Sequence, residues 1–431
     1  MNQKVLIISH PPVNTYEAMG KTFLSLFKCF KKDELCQLYI HPNIPDVDVC
    51  SSYFRVTDKD VLKSYFRFKV NSREIKNSEI FTKKNTLYES KKDAAFYSNR
   101  KNRMSFRILM RDIMWKLAYW NNKNLKNWLE REKPTCIFVA PGNAKFLYDI
   151  AIKISKMYSI PIVTYVCDEY YFVNNLKKPL DKLRVKLVQR KTRQLMERTS
   201  HIVTICDSLT ELYSKEFSVP ATTVMTGTSY KIDDKVRASE TPMAITYMGN
   251  IRCNRHASLI EIGEVLKKLN EEINSNFILN VYTNERNQEI LNTFSGIDTI
   301  KLCGHVTGEE FDSVFHSADI LLHTEAFDEQ SIDLVKNSVS TKIADSLASG
   351  IPLLAYGPKQ VASMKHLIDN NCAVIATSKE ELYTALKRVF FDSEYKKEIV
   401  KNALKTAKEF HDSEKGSFKL YEICCLGAEK K

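Results

Sequence analysis

Short apolar runs of strand length recur along this chain, each followed by enough residues to build a helix before the next. They fall at residues 4–8, 135–140, 160–166, 201–205 and 221–225, then at 244–248, 277–282, 300–303, 320–323, 353–356 and 373–376. Runs that stay apolar rather than alternating suit strands covered on both faces. Strands separated by helical segments point to parallel, doubly wound sheets. The polar, mixed-charge stretch 230–240 interrupts the series and reads as an interdomain linker. The expected fold is therefore α/β, with Rossmann-like domains over residues 1–228 and 229–405 and a closing helical segment over 406–431. Near the start, a helix around residues 18–30 puts Phe23, Leu26, Phe27 and Phe30 on one face. Residues 50–100 are polar, basic and irregular, and they predict no element.

A chain of 431 residues can bury two cores, and 44% hydrophobic with 27% charged residues places it among soluble globular proteins. The opening Met1-to-Ser9 segment has too short an apolar core for a secretory leader. No apolar run approaches the roughly 18–20 residues that span a bilayer. The eleven cysteines are scattered singly apart from Cys424-Cys425, without CxxC or metal-ligand spacing. That pattern predicts reduced thiols of a cytosolic protein and no metal site. Asp46-Val47-Asp48 spells the DxD of metal-dependent transferases, but so short a match arises by chance and lacks the single mixed-sheet domain that goes with it.

Charge is unevenly spread. Residues 51–126 hold 19 Lys/Arg against 7 Asp/Glu, an excess equal to the +12 of the whole chain. A solvated lysine surface explains this most simply; attraction to an anionic membrane or a diphosphate-linked acceptor is the sharper reading. Nothing resembling a nucleic-acid-binding signature accompanies the charge, so nucleic acid is not an expected partner. Within this region, residues 104–128 show helical periodicity. Phe106, Leu109, Met110, Ile113, Leu117 and Trp120 fall mainly on one side, with Arg103, Arg107, Arg111 and Lys116 on the other. A core-facing helix with a solvated back is the expectation, and an interfacial membrane helix is the alternative.

The chemistry concentrates in the second half. From Ser340 to Pro358 the chain reads STKIADSLASGIPLLAYGP: a hydroxyl pair and lysine, a short helix holding Asp345, a glycine stop at Gly350 and a buried strand. A helix N-terminus offers unpaired amides to phosphate, and a carboxylate one turn in can accept ribose hydroxyls. Upstream, Tyr247-Met-Gly-Asn-Ile-Arg-Cys-Asn-Arg255 places Gly249 directly after a strand, where a phosphate can approach the backbone. Arg252 and Arg255 follow as candidates to neutralise a diphosphate.

Together these stretches resemble the donor-sugar motif of GT-B glycosyltransferases, particularly the family 4 group. The resemblance covers most of the chain beyond residue 135 and is strongest from Tyr247 to Pro358. It implies two Rossmann-like domains facing each other across a cleft, with the closing helix returning to the first. It also implies a nucleotide-sugar substrate, UDP- or GDP-linked, with no cofactor. The family's basic residue six positions after the glycine matches Arg255. Its arginine directly after the glycine is replaced by Asn250, with Arg252 nearby. Its two glutamates, with seven residues between them, become Asn337 and Asp345. Gly304-His305-Val306 is similar to the family's turn beside the nucleotide base, and Thr324 and Glu325 to the loop facing the donor sugar. Ser340, Thr341 and Lys342 complete the expected donor set.

In the first domain, Asp168 closes a strand, where α/β folds place functional groups. Asp168 and Glu169 are candidates for the base that takes the acceptor proton or for acceptor contact. His10 and Asn143, in loops after strands, are further acceptor candidates. Arg255, Lys342 and Asp168 are the expected catalytic residues. The resemblance implies transfer of a sugar to a saccharide or lipid-diphosphate-linked acceptor in surface polysaccharide synthesis, in the cytoplasm or at the inner membrane face. The rivals are a GT-B-fold nucleotide-sugar 2-epimerase and a binding-only homologue serving as a scaffold.

Overall fold

The computed structural model describes residues 3–15, 17–67, 72–80, 105–173, 176 and 178–429. The chain divides into two compact units, residues 1–226 with 413–431, and residues 227–412. The return to unit 1 thus begins at Ser413 rather than near residue 406, and the Ser393–Phe410 helix stays with unit 2.

Unit 1 is built on an eight-stranded sheet. Its strands are β1 (Val5–Ser9), β2 (Leu35–Tyr39), β3 (Ser52–Arg55), β4 (Arg73–Ile75), β5 (Cys136–Val139), β6 (Ile162–Val166), β7 (Thr199–Thr204) and β8 (Ala221–Thr223). The order is β4-β3-β2-β1-β5-β6-β7-β8, parallel except for β4, which pairs antiparallel with β3 at the edge. The sequence predicts β1 and β5 to β8 but not β2 to β4. Those three contain Gln37, Ser52, Arg55, Arg73 and Glu74, which hide an apolar run even though the first three of these side chains are buried.

Unit 2 has six strands, all parallel: β9 (Ala244–Met248), β10 (Ile278–Tyr282), β11 (Ile300–Gly304), β12 (Ile320–Thr324), β13 (Leu353–Tyr356) and β14 (Val374–Ala376), in the order β11-β10-β9-β12-β13-β14. In both units the chain winds outward to one side and then jumps across the first strand to wind the other way. That reversal opens a crevice beyond the carboxyl ends of the flanking strands, the usual ligand position in such sheets. The switch points are β1/β5 in unit 1 and β9/β12 in unit 2.

Helices cover both faces of the sheets. On one face of sheet 1, Phe23 and Phe27 meet Phe138 edge-on at 6.2 and 5.0 Å between ring centroids. The Ser413–Glu429 helix joins this face with Leu420 and Cys424 fully buried and Tyr421 against Phe30. The predicted stripe on the other face is corrected by the structure. It forms two helices, Ser105–Leu117 and Lys123–Glu132, and the first turns its apolar stripe outward. Phe106, Met110, Ile113 and Leu117 are 58%, 49%, 50% and 68% exposed, while Asp112 and Trp115 are buried. Trp115 decides the orientation: it stacks on Phe146 at 4.6 Å and donates its indole N–H to Asp58 at 2.7 Å. One large aromatic with its polar edge satisfied outweighs four smaller side chains that cannot reach the same pocket. Residues 81–104, including Arg103 and much of the basic stretch, lie outside the described residues.

None of the eleven cysteines is in a disulfide, and six of them are buried. The DxD carboxylates have local structural partners: Asp46 accepts from the Thr15 amide, and Asp48 pairs with Lys32. Among the described residues, no helix is long and apolar enough to cross a membrane.

Candidate functional site

At the unit 2 switch point, β9 ends just before Gly249 and β12 ends just before Glu325. Gly249 is held by its amide, which donates to Tyr282 O at 2.9 Å. A Cβ there would lie 3.0 Å from the Tyr247 hydroxyl and 3.2 Å from Lys342 Nζ, so glycine leaves room for the lysine head beside the turn. Cys253 and Asn254 then take left-handed backbone conformations, aiming the chain into the Arg255–Ile273 helix. Arg255 at its first position reaches across to Glu325, donating Nε to Oε2 at 2.8 Å and Nη2 to Oε1 at 2.9 Å. Its Nη1 donates to Asn250 Oδ1 at 3.1 Å, and the Arg252 amide reaches the same oxygen at 3.3 Å.

Glu325 is almost fully buried, and its backbone is fixed as well: its N–H donates to Tyr356 O, and its carbonyl accepts from the Ser258 hydroxyl. A buried carboxylate needs such a partner, because an unpaired charge in the interior is costly. The sequence places Arg255 and Glu325 separately at the site; the structure binds them to each other. Arg255 is thus an oriented donor whose charge is already balanced. Lys342, exposed at the start of the Thr341–Ala348 helix, supplies a second cation beside Gly249, while Arg252 is exposed. His323 lies 3.8 Å from Glu325 and donates to or accepts from Ser363. Burial, reinforced by Arg255 and Lys342 against the opposing pull of Glu325, pushes its pKa down to about 4, so it is neutral at physiological pH.

Asp345, one turn into the Thr341–Ala348 helix, has partners the sequence did not foretell. Its Oδ1 accepts from the Thr228 hydroxyl at 2.8 Å, the Ser229 amide at 2.9 Å and the Ser229 hydroxyl at 3.1 Å. All three converge on one oxygen and leave Oδ2 outside these contacts. Gly350, with φ of +76°, follows the helix; a Cβ there would meet Lys235 O at 2.2 Å, so the stop is also a close approach of two chain segments. Asn337 is buried between this helix and the preceding one, near the Ser340 cap. Gly304, His305 and Val306 lie at the end of β11, two strands from β9 on the same edge of the sheet. Gly304 has φ of +80°, its carbonyl accepts from the Thr283 amide, His305 is exposed and Val306 is buried. Thr324 turns its hydroxyl back to Tyr356 O at 2.9 Å, a structural bond.

In unit 1, His10 follows β1 at the switch point. Its carbonyl accepts from the amides of Ile40 and His41. Arg111, from the helix expected to present it to solvent, donates Nη2 to His10 Nε2 at 3.0 Å and Nε to Asp58 Oδ1 at 2.9 Å. The bond fixes Nε2 as the acceptor, so the proton of the neutral ring sits on Nδ1. Although part of its surface is accessible, His10 sits deep among protein atoms. That burial, with Arg111 and His41 beside it, pushes its pKa down to about 3, against the opposing pull of Asp58. Arg111, Asp58 and Trp115 are thus part of the strand-end environment that sequence reading missed; a Trp five residues before another Trp in a basic helix was the available signal.

Asn143 is exposed in the turn after β5, beside Gly142 with φ of +55°. Asp168, after β6, accepts from the Tyr170 hydroxyl at 3.2 Å and lines a cavity of about 20 Å³, room for water but not a sugar. Glu169 accepts from the Tyr171 and Phe172 amides at 2.6 and 2.7 Å, which shapes the following turn.

No protein-family model and no curated relative matches the chain. Solved structures do. HepE from Anabaena, solved in complex with UDP, aligns with a TM-score of 0.63 at 10% identity, covering 98% of this chain and 100% of its own. Sucrose-phosphate synthase from Thermosynechococcus elongatus aligns at 0.60 and 10% identity, covering 98% of each chain. A glycosyltransferase from Rickettsia africae aligns at 0.59 and 11% identity over the full length of both. At such identity the likeness establishes the fold: this chain has the GT-B fold of those glycosyltransferases.

Proposed function

We propose that this chain is a glycosyltransferase that moves a sugar from a nucleotide-sugar to a saccharide or lipid-linked acceptor. The observation that carries this reading is the Gly249, Arg255–Glu325 and Lys342 cluster at the switch point of a sheet in a GT-B fold. Full-length neighbours were solved with UDP and UDP-glucose, so UDP is the first donor nucleotide to test.

In this reading the diphosphate lies over Gly249, with Lys342 and the Arg255 guanidinium at its oxygens. As the sugar's C1–O bond to the diphosphate breaks and a bond to the acceptor oxygen forms, negative charge grows on the leaving diphosphate. Preplaced cations stabilise that charge without reorganising. Glu325 keeps Arg255 in one orientation. Asp345 Oδ2 accepts a ribose hydroxyl, and Gly304, His305 and Val306 contact the base through backbone groups. The acceptor proton goes to Asp168 or to the leaving diphosphate. No metal or cofactor is assigned a part. Unit 1 carries the acceptor candidates His10, Asn143, Asp168 and Glu169. The setting is surface polysaccharide synthesis in the cytoplasm, with peripheral association at the anionic inner membrane face.

One second reading has a specific observation in its favour. Arg255 already neutralised by Glu325, with Asn337 where an acid is usual, suits a binding-only homologue. Incubation with UDP-, GDP- and CMP-linked sugars, following nucleotide release, separates the two. Turnover of one donor is expected. Nucleotide binding without turnover would favour the scaffold, and neither binding nor turnover would overturn the donor site.

A further inference from the structure

The helix Ser105–Leu117 is amphipathic in the unexpected sense, polar and aromatic inward and apolar outward. Phe106, Met110, Ile113 and Leu117 recur at spacings of four, three and four residues, forming one exposed stripe. Leu62 and Tyr65, one turn apart on the neighbouring Asp58–Arg67 helix, extend it; both are exposed, and the Tyr65 hydroxyl bonds Met114 O. An apolar surface of this kind is unfavourable in water unless something covers it.

What surrounds the stripe identifies the cover. Lys59 and Lys63 are exposed beside Leu62, and Arg107 and Lys116 flank the stripe on its own helix. The only acid on that helix, Asp112, is buried on the opposite side. Beyond Lys116 lies a cavity of about 680 Å³ between this helix and the helices Lys145–Tyr158 and Pro179–Met196. Six cations line it, Lys116, Lys145, Lys153, Lys156, Arg190 and Lys191, against the single carboxylate Asp149. Asp149 is already taken up by Lys145 at 3.4 Å and Lys191 at 2.5 Å. Lys153 lies over the Trp120 ring at 5.1 Å, putting a cation and an aromatic surface at one wall.

We propose that this face of unit 1 docks on an anionic phospholipid bilayer, with the stripe entering the headgroup–acyl boundary and the basic cavity receiving lipid phosphate. An apolar stripe with a basic rim fits that surface, because apolar burial and attraction to anionic lipid act together. A second copy of this chain would bring the same cations together and is disfavoured by charge. The proposal rests on the membrane-face placement given above, not on the sugar-transfer chemistry.

The test is co-sedimentation of the full chain with vesicles of phosphatidylcholine alone or mixed with phosphatidylglycerol, at low and high salt. The chain should pellet with the mixed vesicles and be released by salt. The exposed double variant Ile113→Ser with Leu117→Ser should partition about tenfold less. Lys116→Glu with Lys156→Glu should lose preference for anionic vesicles, again by about tenfold. Unchanged circular dichroism and UDP binding in each variant would separate a docking defect from misfolding or failure of the donor site. Absence of pelleting by the native chain, or equal pelleting of native and variants, would overturn the proposal. So would a dimer that dissociates in the Ile113/Leu117 variant, since the stripe would then join two copies.

Discussion

The two units place an arginine–carboxylate pair at the switch point of a parallel sheet, yet they build it from different material. In unit 2 the pair joins the two strand ends: Arg255 opens the helix that follows β9, and Glu325 directly follows β12. In unit 1 the strand end offers His10, and the pair that holds it, Arg111 with Asp58, comes from helices outside the loops. The unit 2 pair is also drier, with 16% and 3% of its side-chain surfaces accessible against 26% and 10% in unit 1. A site assembled from its own loops is compact and self-supporting. One held by borrowed helices can be disturbed from a distance.

The largest effect should follow from breaking the drier pair. Glu325→Ala leaves a buried guanidinium uncompensated and should cost unit 2 about 3–5 kcal/mol, read by urea unfolding. Replacing both partners, Arg255→Met with Glu325→Leu, should restore stability to within about 1 kcal/mol while leaving donor turnover abolished. If the double replacement retains turnover, Arg255 has no part in the chemistry.

In unit 1 the corresponding change is gentler. Asp58→Asn keeps an acceptor for Trp115 but removes the charge facing Arg111, and should cost about 1–2 kcal/mol. It should also disturb His10, which a shift in the His10 imidazole resonances would report. A cost equal to that of Glu325→Ala would erase the contrast between the units.

The pH response is the subtlest comparison. His10 is held down to about 3 and His41 to about 4 in unit 1, chiefly by burial, as are His323 and His366 to about 4 in unit 2. An unfolded histidine takes a proton near its ordinary value of 6.5, whereas these stay neutral until the pH is far lower. Stability is therefore full above about pH 6.5 and falls as acid is added through about 4. Asp112 in unit 1 acts in the opposite sense. Burial raises its pKa to about 6, so between its ordinary 3.8 and 6 the folded state holds the extra proton and gains stability as pH falls. The unfolding midpoint of unit 2, where His323 and His366 act without Asp112, should therefore drop more steeply toward about pH 5.

This contrast also explains what the sequence could reveal. The strands of unit 2 are mostly apolar, and β9, β12 and β13 are followed directly by Gly249, Glu325 and Gly357, so strand, turn and site residue could be read in succession. The strands β2 to β4 carry buried polar side chains such as Gln37 and Arg55, whose partners come from distant residues, and local patterning cannot register them. Periodicity puts Arg111 on a solvated face, opposite the stripe of Phe106, Leu109, Met110, Ile113, Leu117 and Trp120, whereas burial was decided by the shape that Phe146 and Asp58 present to Trp115. Asp345 was legible as a residue but not as a contact, since Thr228 and Ser229 lie more than a hundred positions away in sequence.

Calorimetric titration of UDP into the native chain and into Lys342→Ala tests the central claim most directly. Lys342 is exposed, and the substitution removes a cation placed beside Gly249. The account predicts that UDP binds the native chain and that Lys342→Ala weakens binding by about tenfold, the loss of one charge-assisted phosphate contact. Equal affinity in the two proteins, or no UDP binding by the native chain, would contradict it.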